Sequence, residues 1–268
     1  MKHIKGFCQM FNRQLMLALV ALLTLIISPA ARADAPPIIA AASDLQFALD
    51  EIAQRFEAET GQAVKPVYGS TGNFARQIRE GAPFQMFMAA DESYVRDLAA
   101  EGLTRDAGML YGEGRLVMLV PTGAELAADG TLDGLRAALA AGRITRFAIA
   151  NPEHAPYGKR AEEALRHAGL WDQIQPHLVL GENVSQAAQF ALSGNADGGI
   201  VAYSLALSPN LAGQGQHDLI PADWHDPLLQ RMVLLKEAGP VAEAFYRYVA
   251  APSARAILER YGFALPKE

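Results

Sequence analysis

PIIAAASDLQFALDEIAQRFEAETG, residues 37–61, is the stretch that decides the fold class. PIIAAA (37–42) is apolar, unbroken and too short for a stable helix, so it reads as a strand buried on both faces. From Ser43 the pattern changes. Leu45, Leu49, Ile52 and Phe56 recur at helical spacing, and Gly61 stands where that helix would end. A buried strand leading straight into an amphipathic helix is the building unit of an α/β protein with largely parallel sheets.

The unit recurs along the chain. AVKPVYG (63–69) precedes a short helix through Phe74 and Ile78, and PFQMFMAAD (83–91) precedes one through Tyr94 and Leu98. RLVMLVP (115–121) opens a second section, which holds the strands RFAIANP, HLVLG and GGIVAYS with helices between them. PLLQRMVLL (227–235) is a last strand, followed by two helices split at Pro252. RLVMLV and QRMVLL are expected to cross between two lobes. No internal repeat or low-complexity segment interrupts the pattern.

The first 33 residues read as an export signal rather than as fold. Lys2, Lys5 and Arg13 lead the apolar run LMLALVALLTLII (15–27), and Ala31-Arg32-Ala33 supplies a small-residue cleavage pattern. The run is short for a membrane span. Cleavage after Ala33 would remove Cys8, the only cysteine, so disulfides are not expected. It would also remove four bases and no acid, moving the formal charge from −6 to −10 with 19 bases against 29 acids. An acidic surface argues against nucleic acid and anionic membranes as partners.

Four strand-to-helix junctions share a chemistry. Ser43 with Gln46, and Asn183 with Gln186, have capping-box spacing; Ser70 and Thr71 precede the helix in GSTGNF; Pro156-Tyr157-Gly158 opens another. Singly, each reads as an N-cap. Together they gain a second meaning, because parallel α/β sheets place such turns along one edge, where ligands bind. Helix starts offer unpaired N–H groups and a positive dipole end, a ready anion site. None of these turns carries Lys or Arg at its tip, and no carboxylate is expected to accept a hydrogen there. An all-donor site of this kind favours a fully ionised tetrahedral oxyanion over protonated phosphate.

Beyond these physical readings, AAASDLQFALDEIAQRFE, GSTGNFARQIREGAP, MAADESYV, NPEHAPYGKRAEEAL, GENVSQAAQFALSG, GIVAYS and the closing FYRYV and RYGF resemble the periplasmic molybdate-binding proteins of ABC importers. The resemblance runs in order from residue 34 onward. It implies a two-lobed type II periplasmic-binding-protein fold, with lobe 1 at 34–116 plus 226–268 and lobe 2 at 117–225, joined by a two-crossover hinge. It implies capture of molybdate, and of tungstate, by a monomer that needs no cofactor and passes its ligand to a membrane permease and a cytoplasmic ATPase.

Carried over by motif, the resemblance implies that Ser43 supplies both hydroxyl and amide and Thr71 a hydroxyl, with Ser70, Thr71's neighbour, as a second candidate. Tyr157 and Val184 supply backbone amides. Tyr203 is a further candidate. It stands one residue beyond Ala202, where the family's tyrosine would fall, and one step along a strand turns a side chain to the other face unless the strand has ended.

Three rival readings keep part of this picture. The same fold could bind sulfate or another oxyanion, or serve as a sensor for a receptor. An exported enzyme could use His154 and Glu153, but no nucleophile–base constellation accompanies them. The five histidines from His154 to His225 lack metal-site spacing.

Overall fold

The computed structural model describes residues 35–211 and 213–265, and the expected signal segment lies outside them. Two five-stranded mixed sheets organise the chain. The first is built from β1 (Ile38–Ala42), β2 (Lys65–Gly69), β3 (Phe84–Ala89), β4 (Met109–Gly114) and β10 (Leu228–Leu234), in the order β2-β1-β3-β10-β4. The second contains β5 (Leu116–Pro121), β6 (Phe147–Ala150), β7 (Leu178–Gly181), β8 (Gly199–Ala202) and β9 (Gly215–Leu219), in the order β7-β6-β8-β5-β9.

The two sheets share one topology. In the first, β1 runs parallel to β2 and β3, while β10 is antiparallel to both its neighbours. In the second, β6 runs parallel to β7 and β8, and β5 is the reversed strand. The reversed strand is in each case the one the chain enters on arriving from the other sheet. The crossings themselves are Arg115, between β4 and β5, and residues 220–227, between β9 and β10. RLVMLV therefore contains the first crossing at Arg115 and continues as β5, whereas QRMVLL follows the second crossing and belongs to the first sheet.

Helices cover both faces, as the buried strands require. In β1, Ile39 and Ala41 pack into one cluster while Ala40, pointing the other way, packs into a second. The first cluster receives Leu49, Ile52 and Phe56 from α1 (Gln46–Thr60), with Phe245 of α9 (Pro240–Val249) and Ile257 of α10 (Pro252–Arg260). The second receives Phe74 and Ile78 of α2 (Thr71–Arg79) and Val95 and Leu98 of α3 (Glu92–Ala100). Each large side chain so buried contributes about 1.5–3 kcal/mol. The second sheet is covered by α4 (Asp133–Ala140), α5 (Pro156–His167), α6 (Trp171–Ile174), α7 (Val184–Leu192) and α8 (Tyr203–Ala206).

This packing fixes what happens at the strand ends. β1, β2, β6 and β7 each hand the chain directly to a turn and a helix start, and the parallel pairing within each sheet puts those turns on one edge. The two edges face each other.

Candidate functional site

A small cavity lies where the two edges meet. Ser43 and Asp44 reach it from the end of β1, Ser70 and Thr71 from the end of β2, Tyr157 from the start of α5 and Val184 from the start of α7. Its volume is about 10 Å³, on the order of the room one water-sized sphere needs.

The hydroxyls on the first wall are held by their oxygens. Thr71 Oγ1 accepts from Ala90 N at 3.0 Å, and its proton is committed to no acceptor among the described residues. Ser70 Oγ accepts from Asn73 N at 3.4 Å as the N-cap of α2, and lies 2.9 Å from His154 Nδ1. Ser43 does not cap a helix, contrary to its spacing. It begins a short 3-10 turn, Ser43–Leu45, and its Oγ instead accepts from Ser185 N of the opposite wall at 3.2 Å.

The second wall presents main chain. Tyr157 and Val184 are the second and first residues of their helices, positions whose N–H groups no intrahelical carbonyl takes. Asn183 caps α7 by accepting from Gln186 N at 3.1 Å, and Gln186 Oε1 returns to Glu182 N at 2.7 Å. The reciprocal cap therefore closes one residue earlier than a capping box would. Gly158 is required behind Tyr157, because a Cβ there would lie 2.1 Å from the Ala150 carbonyl oxygen.

Direct contacts draw the walls together. Gly72 N donates to the His154 carbonyl at 2.9 Å, and a Cβ on Gly72 would meet that oxygen at 2.6 Å. The glycine in GSTG thus serves close approach of wall to wall. Ser185 Oγ donates to the Ser43 carbonyl at 2.9 Å, and Ser204 Oγ to the Asp44 carbonyl at 2.8 Å. Arg160 of α5, only 7% exposed, pairs with Asp91 at 3.1 Å and Glu163 at 2.7 Å.

Two expectations change. Tyr203 is not at the cavity. β8 ends at Ala202 and a helical turn begins, so the Tyr203 ring packs beside Gly262 and 5.7 Å from the His217 ring. Nor is the site free of carboxylates. Asp44 is buried, with Oδ2 accepting from the Tyr157 hydroxyl at 3.0 Å and from Gln230 Nε2 at 2.7 Å. Burial pushes its carboxyl up from 3.8 to about 6, partly opposed by those two bonds. Burial and the neighbouring Asp44 push the Tyr157 hydroxyl well above its ordinary range. In sequence, Asp44 looks like an acid at a helix start, which the dipole alone would explain. Its partners lie 113 and 186 residues away, and nothing local announces them.

His154 and Glu153 form no acid–base pair. His154 bonds to Ser70, and the Glu153 amide donates to Asn151 Oδ1 at 3.0 Å. No cluster of three or more His, Cys, Asp or Glu able to hold a metal ion occurs among the described residues.

Paired sheets of this topology, with helix starts converging on a small seam, define a protein that holds a compact solute between two walls. The chain belongs to the bacterial extracellular solute-binding protein family, which it matches over residues 38–264. The molybdate-binding protein ModA of Azotobacter vinelandii is 34% identical over 230 residues, covering 85% of this chain and 89% of the relative. ModA of Rhodobacter capsulatus is 33% identical over 90% of this chain and 93% of its own. The solved structure of the Azotobacter vinelandii periplasmic molybdate-binding protein superposes with a TM-score of 0.79 at 31% identity, over 86% of this chain and all of that one. These relatives are named as binding proteins, not as enzymes.

Proposed function

We propose that this protein captures molybdate, and tungstate, in the periplasm and delivers it to a membrane permease driven by a cytoplasmic ATPase. The observation that carries the reading is the lining of the seam: hydroxyls and helix-start amides from both sheets, with no Lys or Arg among the described residues that line it. Ser43, Ser70 and Thr71 would donate through side chains, and Tyr157 and Val184 through backbone N–H. Hydrogen bonds to a charged acceptor are worth about 1.5–3 kcal/mol each, so five of them offset much of the several kcal/mol that desolvating an anion costs. The names of the relatives single out molybdate among oxyanions.

In this reading, residues 1–33 are removed on export. The lobes, 34–116 plus 226–268 and 117–225, part and close about the crossings at Arg115 and 220–227. The ligand favours the closed form because only there do both walls reach it. The protein acts as a monomer, without cofactor and without catalysis.

Isothermal titration of the ligand-stripped protein with molybdate, tungstate, sulfate and phosphate tests this. Tight one-to-one binding of the first two with weak binding of the others is expected. Tight sulfate binding, or silence with all four, would overturn the assignment.

A further inference from the structure

Asp44 is among the residues that line the cavity, and its carboxyl is buried there, which raises a question of charge: a carboxylate beside a dianion repels it, and no Lys or Arg is among the described lining residues. The bonds around Asp44 show how the conflict is resolved. Tyr111 OH donates to Gln230 Oε1 at 2.6 Å, which turns the Gln230 amide so that Nε2 faces Asp44. Tyr157 OH donates to the same carboxyl oxygen. Both donors therefore converge on Oδ2, giving it the bonding of a carbonyl oxygen. Oδ1 is equally buried and has no hydrogen-bond partner, although the amides of Asp44 and Leu45 lie near enough to favour the charged form somewhat. An oxygen left this way is where a carboxylic acid carries its proton.

We propose that Asp44 binds the oxyanion as a neutral acid, its Oδ1–H donating to an anion oxygen, so that each capture takes up one proton from solvent. The balance is simple. Carboxylate, one proton from water and the dianion combine into a carboxylic acid hydrogen-bonded to the dianion, and no other bond changes. The proposal rests on the oxyanion reading above and adds a donor to it. The groups that face Asp44 are Tyr157 from α5, Gln230 from β10, Tyr111 from β4 and Ser204 from α8. The two titratable ones are tyrosines held neutral by burial and by Asp44 itself. No Lys, Arg or His bonds to Asp44 among the described residues. With burial already raising the Asp44 carboxyl to about 6, a nearby dianion raises it further, and the proton is taken up at neutral pH.

The experiment is calorimetric titration of the whole protein with molybdate in two buffers of different ionisation heat, repeated between about pH 7 and 9. Uptake close to one proton per molybdate is expected, with affinity falling about tenfold per pH unit. Asp44→Asn keeps an acceptor for Tyr157 and Gln230 and a fixed donor for the anion; its uptake should vanish and its affinity become flat with pH. His154→Gln should keep the uptake near one. Wild-type binding without proton uptake, or uptake that survives Asp44→Asn or is lost in His154→Gln, would overturn the proposal while leaving the oxyanion reading intact. Absence of molybdate binding at every pH would overturn both. Should Asp44→Asn fail to fold, the wild-type and His154→Gln titrations still decide.

Discussion

The two walls of the cavity are built on one topology and use it differently. On the first, Ser43, Ser70 and Thr71 turn buried hydroxyls to the seam. On the second, Tyr157 and Val184 offer only the amides of helix starts; the Tyr157 hydroxyl is spent on Asp44, and Val184 is apolar. The third turn differs as well. After β3, Ala90 lies at the cavity and holds Thr71 by its amide, whereas after β8 the Tyr203 amide donates to the Arg115 carbonyl, at a crossing. A wall of side chains depends on residue identity, and a wall of main chain depends on where a helix begins.

The largest effect should come from cutting what joins the walls. Arg160→Ala strips Asp91 of a buried partner and should cost about 3 kcal/mol or more of stability, read by urea unfolding. A loss below about 1 kcal/mol would mean that the pair adds little to the closed arrangement.

Asp44, at the seam between the walls, should make the empty protein's stability depend on pH. Its folded carboxyl is raised from 3.8 to about 6, so the native state holds the proton more tightly than the unfolded chain. That advantage is complete below about pH 4 and is lost as pH rises through about 6. Measured as a difference, wild type should lose about 2–3 kcal/mol relative to Asp44→Asn across this window. Parallel profiles would contradict the burial of an ionisable Asp44.

The walls themselves can be set against each other by two truncations. Thr71→Ala removes one donor to a charged acceptor, worth about 1.5–3 kcal/mol, so molybdate affinity should fall roughly 10- to 100-fold, with Thr71→Ser restoring most of it. Val184→Ala keeps its amide and should change affinity by less than about threefold. Equal losses at the two positions would erase the distinction between side-chain and main-chain walls.

The same distinction explains what could be read from sequence. Alternating buried runs and helical periods revealed the α/β sheets, and hydroxyl-bearing turns revealed Ser43, Ser70 and Thr71, because local chemistry sets both. Tyr157 and Val184 came from the family resemblance, at helix starts that the neighbouring Pro156 and Asn183 mark in the sequence. Long-range packing was not legible. Arg160 sits beside Lys159 on α5 with nothing local to mark it as buried, yet it is buried against Asp91. Ser43 has cap spacing but spends its oxygen on Ser185, 142 residues away. Tyr203 depended on whether β8 stops at Ala202, a difference of one residue that decides which way the ring points.

The most direct test of the central claim is a crystal structure of the protein with molybdate, the ion located by the anomalous scattering of molybdenum. The account predicts one ion in the seam, its oxygens about 2.7–3.2 Å from the hydroxyls of Ser43 and Thr71 and from the amide nitrogens of Tyr157 and Val184. An ion bound elsewhere, or one held by a single wall, would contradict it.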